Sequence, residues 1–444
     1  MSNMGIVLGV IVILWSGLTA GFGLYLQTLC ARYLDRGAAS FFALSQLTYP
    51  NAAVLFDAAI AIKCFGVGVS YLIIIGDLMP GVVKGFGDAG DATYLIDRHF
   101  WITAFMLVVI PLSFLRRLDS LKYTSIVALV SIAYLVVLVV YHFASGDTLS
   151  DRGQVHVVGA QGVVAVLASF PVIVFAYTCH QNMFSILNEI RDNSPFRTTA
   201  VVTSSIGTAA SIYILVAITG YLSYGDNVLG NIIAQYKPSV ASTVGRAAIV
   251  VLVMFSYPLQ VHPCRASVDA VSKWRPARRQ ELSPPASSPT RPSSNKLPSR
   301  GKPEDMSELR FAIITTVIII LSYIVAMTVN SLDKVLAFVG STGSTSISFI
   351  LPGLFYYKIS SPDSPHHQRL LKDEDDEDYD GSDDSGEETI HEHSSSWQTW
   401  TSRLTQGKQL SRALIRRLAL ALAIYGLVVM VVCLVINTYF NVAH

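Results

Sequence analysis

A run of polar side chains interrupts one long apolar segment of this chain. Residues 169–182 read Ser-Phe-Pro-Val-Ile-Val-Phe-Ala-Tyr-Thr-Cys-His-Gln-Asn, so the apolar run stops at Tyr177. Pro171 has no backbone N–H and cannot donate one helical hydrogen bond. In lipid, backbone groups freed by a helix break must meet protein partners or a wet cavity. The pattern predicts an unwound stretch near Phe175–Thr178. The alternative is a helix that only bends at Pro171.

Further ionisable and hydroxyl side chains lie in this apolar segment and in others. Lys63 would be buried in the membrane, where charges are costly and have either a functional or a structural role. His180 either carries a proton or makes a structural hydrogen bond. Ser256 either binds a cation or bonds to its own helix. The small-residue run 340–348 either lines a pathway or packs tightly against another helix.

The sequence contains no G-x-S-x-G, P-loop, H-E-x-x-H or C-x-x-C motif. We therefore predict no enzyme activity, no metal site and no cofactor. The five cysteines lie in or beside apolar runs, which is typical of free thiols. No basic face indicates nucleic acid as a partner. Nothing in the sequence indicates an oligomeric state.

The elements that must position these residues are membrane helices. The chain has 444 residues, of which 52% are hydrophobic and 14% are charged, whereas soluble proteins have about 25% charged residues. A helix needs about 20 apolar residues to cross the hydrocarbon core. Ten segments qualify, near 5–29, 52–79, 100–115, 122–144, 160–184, 199–223, 244–267, 309–331, 335–357 and 412–437. We predict an all-α polytopic membrane helix bundle with ten transmembrane helices, and one transmembrane domain over residues 1–444.

Lysine and arginine residues concentrate in alternate loops, which predicts that these loops face the cytoplasm. Two of them are long. Residues 276–307 are rich in Pro, Ser, Lys and Arg, and residues 360–410 carry an acidic run. Both are too polar to form a core, so we expect disordered cytoplasmic loops. They are either solvated linkers or regions regulated by phosphorylation or partner binding. The same alternation places both chain ends on the non-cytoplasmic side.

Three segments together resemble a known family of transporters. Residues 57–80, which include Ile62-Lys-Cys-Phe-Gly-Val-Gly-Val-Ser-Tyr71, resemble the third helix of the amino acid/auxin permease family. Residues 175–184, with Asn188-Glu189, resemble its sixth helix. Residues 340–353 resemble its tenth helix. The resemblance is nearest to fungal vacuolar amino acid transporters, which are related to sodium-coupled neutral amino acid transporters.

The resemblance implies a LeuT-type inverted repeat with eleven helices, in which the first and sixth helices are broken and hold the substrate. It implies substrate contacts at Phe175, Ala176, Tyr177, Thr178 and Ser70. It also implies cation or proton coupling at Ser256, two residues before Pro258, and at His180. The first span of this chain resembles the family's second helix. We therefore expect that the family's first helix is missing from this sequence.

The function implied is secondary active transport of amino acids across an internal, vacuolar membrane by alternating access. The coupling ion would be a proton, or sodium as in the sodium-coupled relatives. The plasma membrane is the alternative location. An amino acid sensor that binds without flux is the alternative function. The implied partners are a small-molecule amino acid and the lipid bilayer.

Overall fold

A computed structural model describes residues 1–443, except 36, 88–92, 116–121, 160, 192–193, 274–305 and 371–393. Side chains are described throughout this part except at 122–125, 394–411 and 440–443. The described residues form helices and connecting turns without any β-strand. The protein is therefore an all-α bundle, as predicted.

The helices follow the apolar segments closely. They are α1 (Gly5–Ala31), α2 (Phe41–Thr48), α3 (Ala53–Phe86), α4 (Arg98–Ser113), α5 (Lys122–Ser145), α6 (Val163–Ala176), α7 (His180–Glu189), α8 (Pro195–Tyr224), α9 (Ile232–Gln235), α10 (Val240–Lys273), α11 (Glu308–Thr328), α12 (Leu332–Val339), α13 (Leu351–Ile359) and α14 (Ser394–Ala443). Two π-helical turns, Gly340–Ser344 and Ser346–Ile350, join α12 to α13.

Nine helical stretches of the described chain are long and apolar enough to cross a membrane. Two of them each contain two α-helices, because α6 continues into α7 and α12 continues into α13. The predicted third span corresponds to α4, which is shorter at 16 residues. The protein is thus a multi-pass membrane protein, while the number of ten transmembrane helices stays a prediction.

The long helices α3 and α10 form the centre of the bundle, where they pack along each other. Tyr257 of α10 is fully buried. Its ring faces Gly68 of α3, where a Cβ atom would lie 3.4 Å from the ring. Glycines allow helices to approach closely in lipid, where van der Waals packing and hydrogen bonds replace the hydrophobic driving force.

A buried arginine connects several segments at one end of the bundle. The Arg246 guanidinium donates to the carbonyl oxygens of Ile233 at 3.1 Å and of Gly81 at 3.2 Å, and also to that of Tyr236. Its side chain is only 3% exposed. Arg246 therefore ties α10 to α9 and to the last turns of α3.

The other end is tied together by polar contacts between the helix ends. The Asn188 side chain accepts from the Ala39 N–H at 3.1 Å and donates to the Ala39 carbonyl at 2.8 Å. Phe41 packs edge-on against Phe184, with ring centroids 5.0 Å apart. These contacts connect α2 to α7. This is the end that the charge pattern assigns to the cytoplasm.

The two predicted loops fall largely outside the described residues. Of 276–307, only the last two residues are described, directly before α11. Of 360–410, residues 371–393 lie outside. The described parts differ from the expectation: His367 is 8% exposed and its Nδ1 lies 3.0 Å from the Tyr33 hydroxyl, and 394–410 belong to α14. A hydropathy pattern detects the apolar part of a helix and not its polar extension, which is why the helix was expected to begin near 412.

Candidate functional site

The interruption expected in the fifth span is present, between Ala176 and His180. The helix α6 ends at Ala176, and α7 begins at His180. The Thr178 hydroxyl donates to the Val174 carbonyl at 2.9 Å, and the Thr178 N–H donates to the Phe175 carbonyl at 3.0 Å. Residues 177–179 are therefore non-helical, rather than 175–178. Phe175 and Ala176 still belong to α6, because these Thr178 bonds satisfy carbonyls of its last turn.

Two tyrosines lie at the end of α6. The Tyr213 hydroxyl of α8 donates to the Ala176 carbonyl at 2.7 Å. The Tyr177 ring is 3% exposed and lies against Gly17 of α1, where a Cβ atom would come within 3.2 Å of the ring. The buried Tyr177 hydroxyl makes no hydrogen bond in the described part of the protein. The break therefore contains a buried hydroxyl group without a partner among the described residues.

His180 connects the break to two other spans. Its side chain is fully buried. The Nε2 atom lies 3.1 Å from the Ala20 carbonyl oxygen of α1, and Nδ1 lies 3.1 Å from the Ser348 hydroxyl. A carbonyl can only accept, so Nε2 carries a proton. The Ser348 hydroxyl also lies 3.2 Å from Thr178 Oγ1.

The small-residue run 340–348, which contains Ser348, is densely packed against other helices. Its hydroxyl residues Ser341, Ser344, Thr345 and Ser348 are fully buried. A Cβ atom at Gly340 would overlap the Pro171 carbonyl oxygen, and one at Gly343 would lie 2.6 Å from the Lys63 Cβ. The run is thus a close contact with α6 and α3. π-Helical turns are rare in proteins, and those that occur often lie at functional sites.

A glycine of α1 completes this contact. A Cβ atom at Gly23 would overlap the Ser348 carbonyl oxygen and would lie 2.9 Å from His180 Nε2. The backbones of α1 and of the second π-helical turn therefore meet directly beside the imidazole. Glycine is the only residue that this spacing admits without displacement of the backbone.

Two of the expected site residues do not join this group. The Ser70 hydroxyl donates to Val67 O at 2.8 Å, and the Ser256 hydroxyl donates to Leu252 O at 2.7 Å, so each bonds to its own helix. No hydrogen bond in the described chain links either serine to the break. Back-bonding of Ser256 was one of its two expected roles.

Sequence reasoning missed the specific role of Ser348. It lies in the quoted run 340–348, but nothing in that run distinguishes one hydroxyl from the next. Only the packing of the π-helical turns selects Ser348 to face His180. The described residues contain no group of three or more His, Cys, Asp or Glu side chains that could hold a metal ion.

Comparisons with known proteins agree with this architecture. Residues 1–374 match the family model described as "Transmembrane amino acid transporter protein". The chain is 40% identical over 441 residues to "Vacuolar amino acid transporter 5" of Schizosaccharomyces pombe, covering 98% of this chain and 88% of that protein. It is 43% identical over 378 residues to "Vacuolar amino acid transporter 6" of Saccharomyces cerevisiae, covering 80% of this chain and 84% of that protein.

A more distant relative comes from an animal. "Sodium-coupled neutral amino acid transporter 7" of Mus musculus is 28% identical over 313 residues, which cover 68% of this chain and 62% of that protein. These findings confirm the resemblance drawn from the three sequence segments. The family model covers every helix from α1 to α13. The chain belongs to the family of transmembrane amino acid transporter proteins.

Proposed function

We propose that this protein is a secondary active transporter that moves amino acids across the vacuolar membrane by alternating access, with protons as the coupling ion. The bundle would have the LeuT-type inverted-repeat arrangement. The observation that carries the proposal is the three-residue break between α6 and α7, inside a span of a multi-pass membrane protein. The family assignment and the vacuolar names of the fungal relatives support it.

The break offers the groups that an amino acid requires. An amino acid carries an ammonium group, which needs acceptors, and a carboxylate, which needs donors. The first N–H groups of α7 lack intrahelical acceptors. The last carbonyls of α6 already accept from Thr178 and Tyr213, but each carbonyl oxygen has a second lone pair for an ammonium group. Ala176 and Cys179 are exposed beside the break. We therefore assign substrate contacts to Phe175, Ala176, Tyr177 and Thr178. Ser70 of α3 bonds to its own helix, so it is not part of this assignment.

His180 is the residue that we assign to proton coupling. The Thr178 hydroxyl gives its proton to Val174 O, so towards Ser348 it can only accept. When the imidazole is neutral and its proton is on Nε2, Nδ1 is an acceptor, so the Ser348 hydroxyl must donate to it. An imidazolium instead donates from Nδ1 to Ser348, which frees the Ser348 proton for Thr178. The protonation state of His180 would thus decide whether Ser348 and Thr178 are hydrogen-bonded at the break.

Sodium is the alternative coupling ion, because one relative is named as sodium-coupled. Ser256 is the residue that we assign to a cation position. Its hydroxyl proton is used by Leu252 O, which leaves the oxygen lone pairs available to a cation. A proton needs no such coordination shell. The buried His180 offers an ionisable group directly at the break, and this favours the proton.

Uptake by the purified chain in liposomes tests the proposal. Each of the twenty common amino acids is supplied with an imposed pH gradient, with or without sodium. We expect accumulation of at least one amino acid that stops when an ionophore collapses the pH gradient. Accumulation that persists without the gradient but needs sodium would reverse the choice of ion. Binding without any flux would identify a sensor and overturn the transport proposal.

The variant His180→Gln separates coupling from transport. Glutamine can donate and accept hydrogen bonds but does not titrate. We expect it to exchange labelled for unlabelled amino acid while it fails to accumulate substrate against a gradient. His99→Gln is the matched control, since His99 lies at the exposed start of α4. Gradient-driven accumulation by His180→Gln at the wild-type level would exclude His180 as the proton carrier.

A further inference from the structure

Lys63 carries an ammonium group inside the membrane, on the part of α3 that packs against the first π-helical turn. The residue lies about 15 Å along α3 from Ala53, roughly half of the hydrocarbon thickness. Its side chain is only 4% exposed. Within the described chain, no hydrogen bond or ion pair of this ammonium group is found. A buried charge without a partner is strongly unfavourable.

The charge of Lys63 interacts with residues at the start of α7. Lys63 packs against Gly343 in the first π-helical turn. It is close enough to both Cys179 and His180 for its charge to interact with them. These two residues lie at the N-terminus of the ten-residue helix α7. Lys63 therefore adds a full positive charge to the positive end of a helix dipole.

The same place presents backbone donors. The N–H groups of His180 and Gln181 have no acceptor among the described residues, whereas the Asn182 N–H bonds to Cys179 O at 3.0 Å. Two successive free N–H groups at a helix N-terminus form a site for an anion. The unpartnered, buried Lys63 is an independent feature that indicates the same ligand. Together they match a carboxylate, which accepts several charge-assisted hydrogen bonds.

We propose that Lys63 is the counter-charge for the α-carboxylate of the transported amino acid, which binds between the Lys63 ammonium and the first N–H groups of α7. This inference rests on the proposed transport function and adds a specificity-determining residue to it. It gives the site a preference for a free carboxylate over a neutral amide. It also gives the cost of burying Lys63 a functional explanation.

Binding to the purified full chain tests this role. The probes are alanine, glutamine, lysine, tyrosine and glutamate, each compared with its own α-carboxamide, which keeps the size but removes the charge. We expect the wild-type protein to bind the acid about tenfold more tightly than the amide, or better. Lys63→Met should bind both forms with equal affinity, and Lys63→Arg should keep the preference.

The matched control is Lys84→Met, because Lys84 lies on the same helix but is exposed. It should behave as the wild-type protein does. A structural role for Lys63 would weaken the binding of acid and amide alike, leaving their ratio unchanged. A retained preference in Lys63→Met therefore overturns the inference, while the transport proposal stands. A wild-type protein that binds none of the acids overturns both proposals.

A second measurement does not depend on the folding of any Lys63 variant. Cys179 is exposed, whereas the other four cysteines are buried. A maleimide should therefore label Cys179 first in the wild-type protein, and Cys179→Ser identifies the background reaction. The bound amino acid should slow this labelling, and the same concentration of its amide should not. Equal protection by both forms would contradict a carboxylate position beside Lys63.

Discussion

The imidazole Nδ1 of His180 and the hydroxyl Oγ of Ser348 lie 3.1 Å apart, although 168 residues separate them in the sequence. The contact joins the start of α7 to the second π-helical turn, and both residues are buried. It therefore links the break in one span to the irregular part of another. A movement of α7 away from this turn would break the contact.

Removal of this hydroxyl should impair both stability and transport. In Ser348→Ala, Nδ1 of His180 loses its partner in a buried place, at a cost of about 1–3 kcal/mol. We expect a lower melting temperature in detergent and uptake reduced about tenfold. Ser346→Ala is the control, because the Ser346 hydroxyl donates to Thr342 O within its own helical segment. Similar losses in both variants would show that the His180 contact has no special role.

The hydroxyl of Tyr213 should support the end of α6. Tyr213→Phe leaves the Ala176 carbonyl without its donor at 2.7 Å, while the ring still packs edge-on against Tyr177. We expect weaker substrate affinity by about five- to tenfold, which corresponds to the loss of roughly one hydrogen bond. Affinity is measured from the concentration dependence of uptake.

Tyr323→Phe is the control for this change. The Tyr323 hydroxyl lies 2.9 Å from Thr103 Oγ1 at an exposed position away from the break. Its loss should alter affinity less than twofold, because water or lipid headgroups can replace an exposed partner. If Tyr213→Phe has the affinity of the wild-type protein, the Ala176 carbonyl does not depend on the tyrosine.

Arg246 should be essential for the stability of its end of the bundle. Arg246→Met would leave four carbonyl oxygens, on Ile233, Gly81, Ala234 and Tyr236, without their donor. Each unpaired buried acceptor costs about 1–3 kcal/mol, so we expect a loss of about 3 kcal/mol or more. The melting temperature in detergent should fall by several degrees.

An exposed cation nearby provides the contrast for Arg246. Lys237 pairs with Asp151 at 3.1 Å, but both side chains are about half exposed or more. Exposed ion pairs contribute about 0–1 kcal/mol. Lys237→Met should therefore melt within about one or two degrees of the wild-type protein. A comparable effect of the two substitutions would argue against the carbonyl clamp.

The orientation of the bundle can be tested by thiol labelling in sealed vacuoles. Single cysteines introduced into 276–307 and 360–410 should react with a membrane-impermeant maleimide added to the cytoplasmic side. A single cysteine introduced into 145–159 should react only after the membrane is permeabilised. The asymmetry of Lys and Arg in the loops is the reason for this expectation. Reaction of the two long loops from opposite sides would make the predicted topology wrong.

Much of the fold could be predicted because the membrane imposes a simple requirement on the sequence. The bounds of α1, α5 and α8 lie within four residues of the predicted apolar segments. The break after α6 was also predictable, because polar residues begin abruptly at Tyr177. Its position was displaced by up to two residues, since the local bonds of Thr178 extend α6 to Ala176.

The partners across the bundle could not be predicted from the sequence. Ser348 and Ser346 are equivalent in composition and differ only in the direction that the π-helical turns give them. Lys63 was recognised as a buried charge, but its proximity to Cys179 depends on how α3 packs. Ser256 was correctly given back-bonding as one possible role, because that bond is local in the chain.

The close backbone contact between Gly23 and Ser348 bears on how well the protein prevents proton leakage across the membrane. Where a Cβ atom would overlap the Ser348 carbonyl oxygen, a water molecule has no room either. Protons cross a membrane readily along a continuous file of water, and this contact leaves no space for water between Gly23 and Ser348. A compartment that keeps an acidic interior needs transporters that do not conduct at rest. With His180 as the proposed proton carrier, Gly23 would thus help to keep the protein tight to proton leakage.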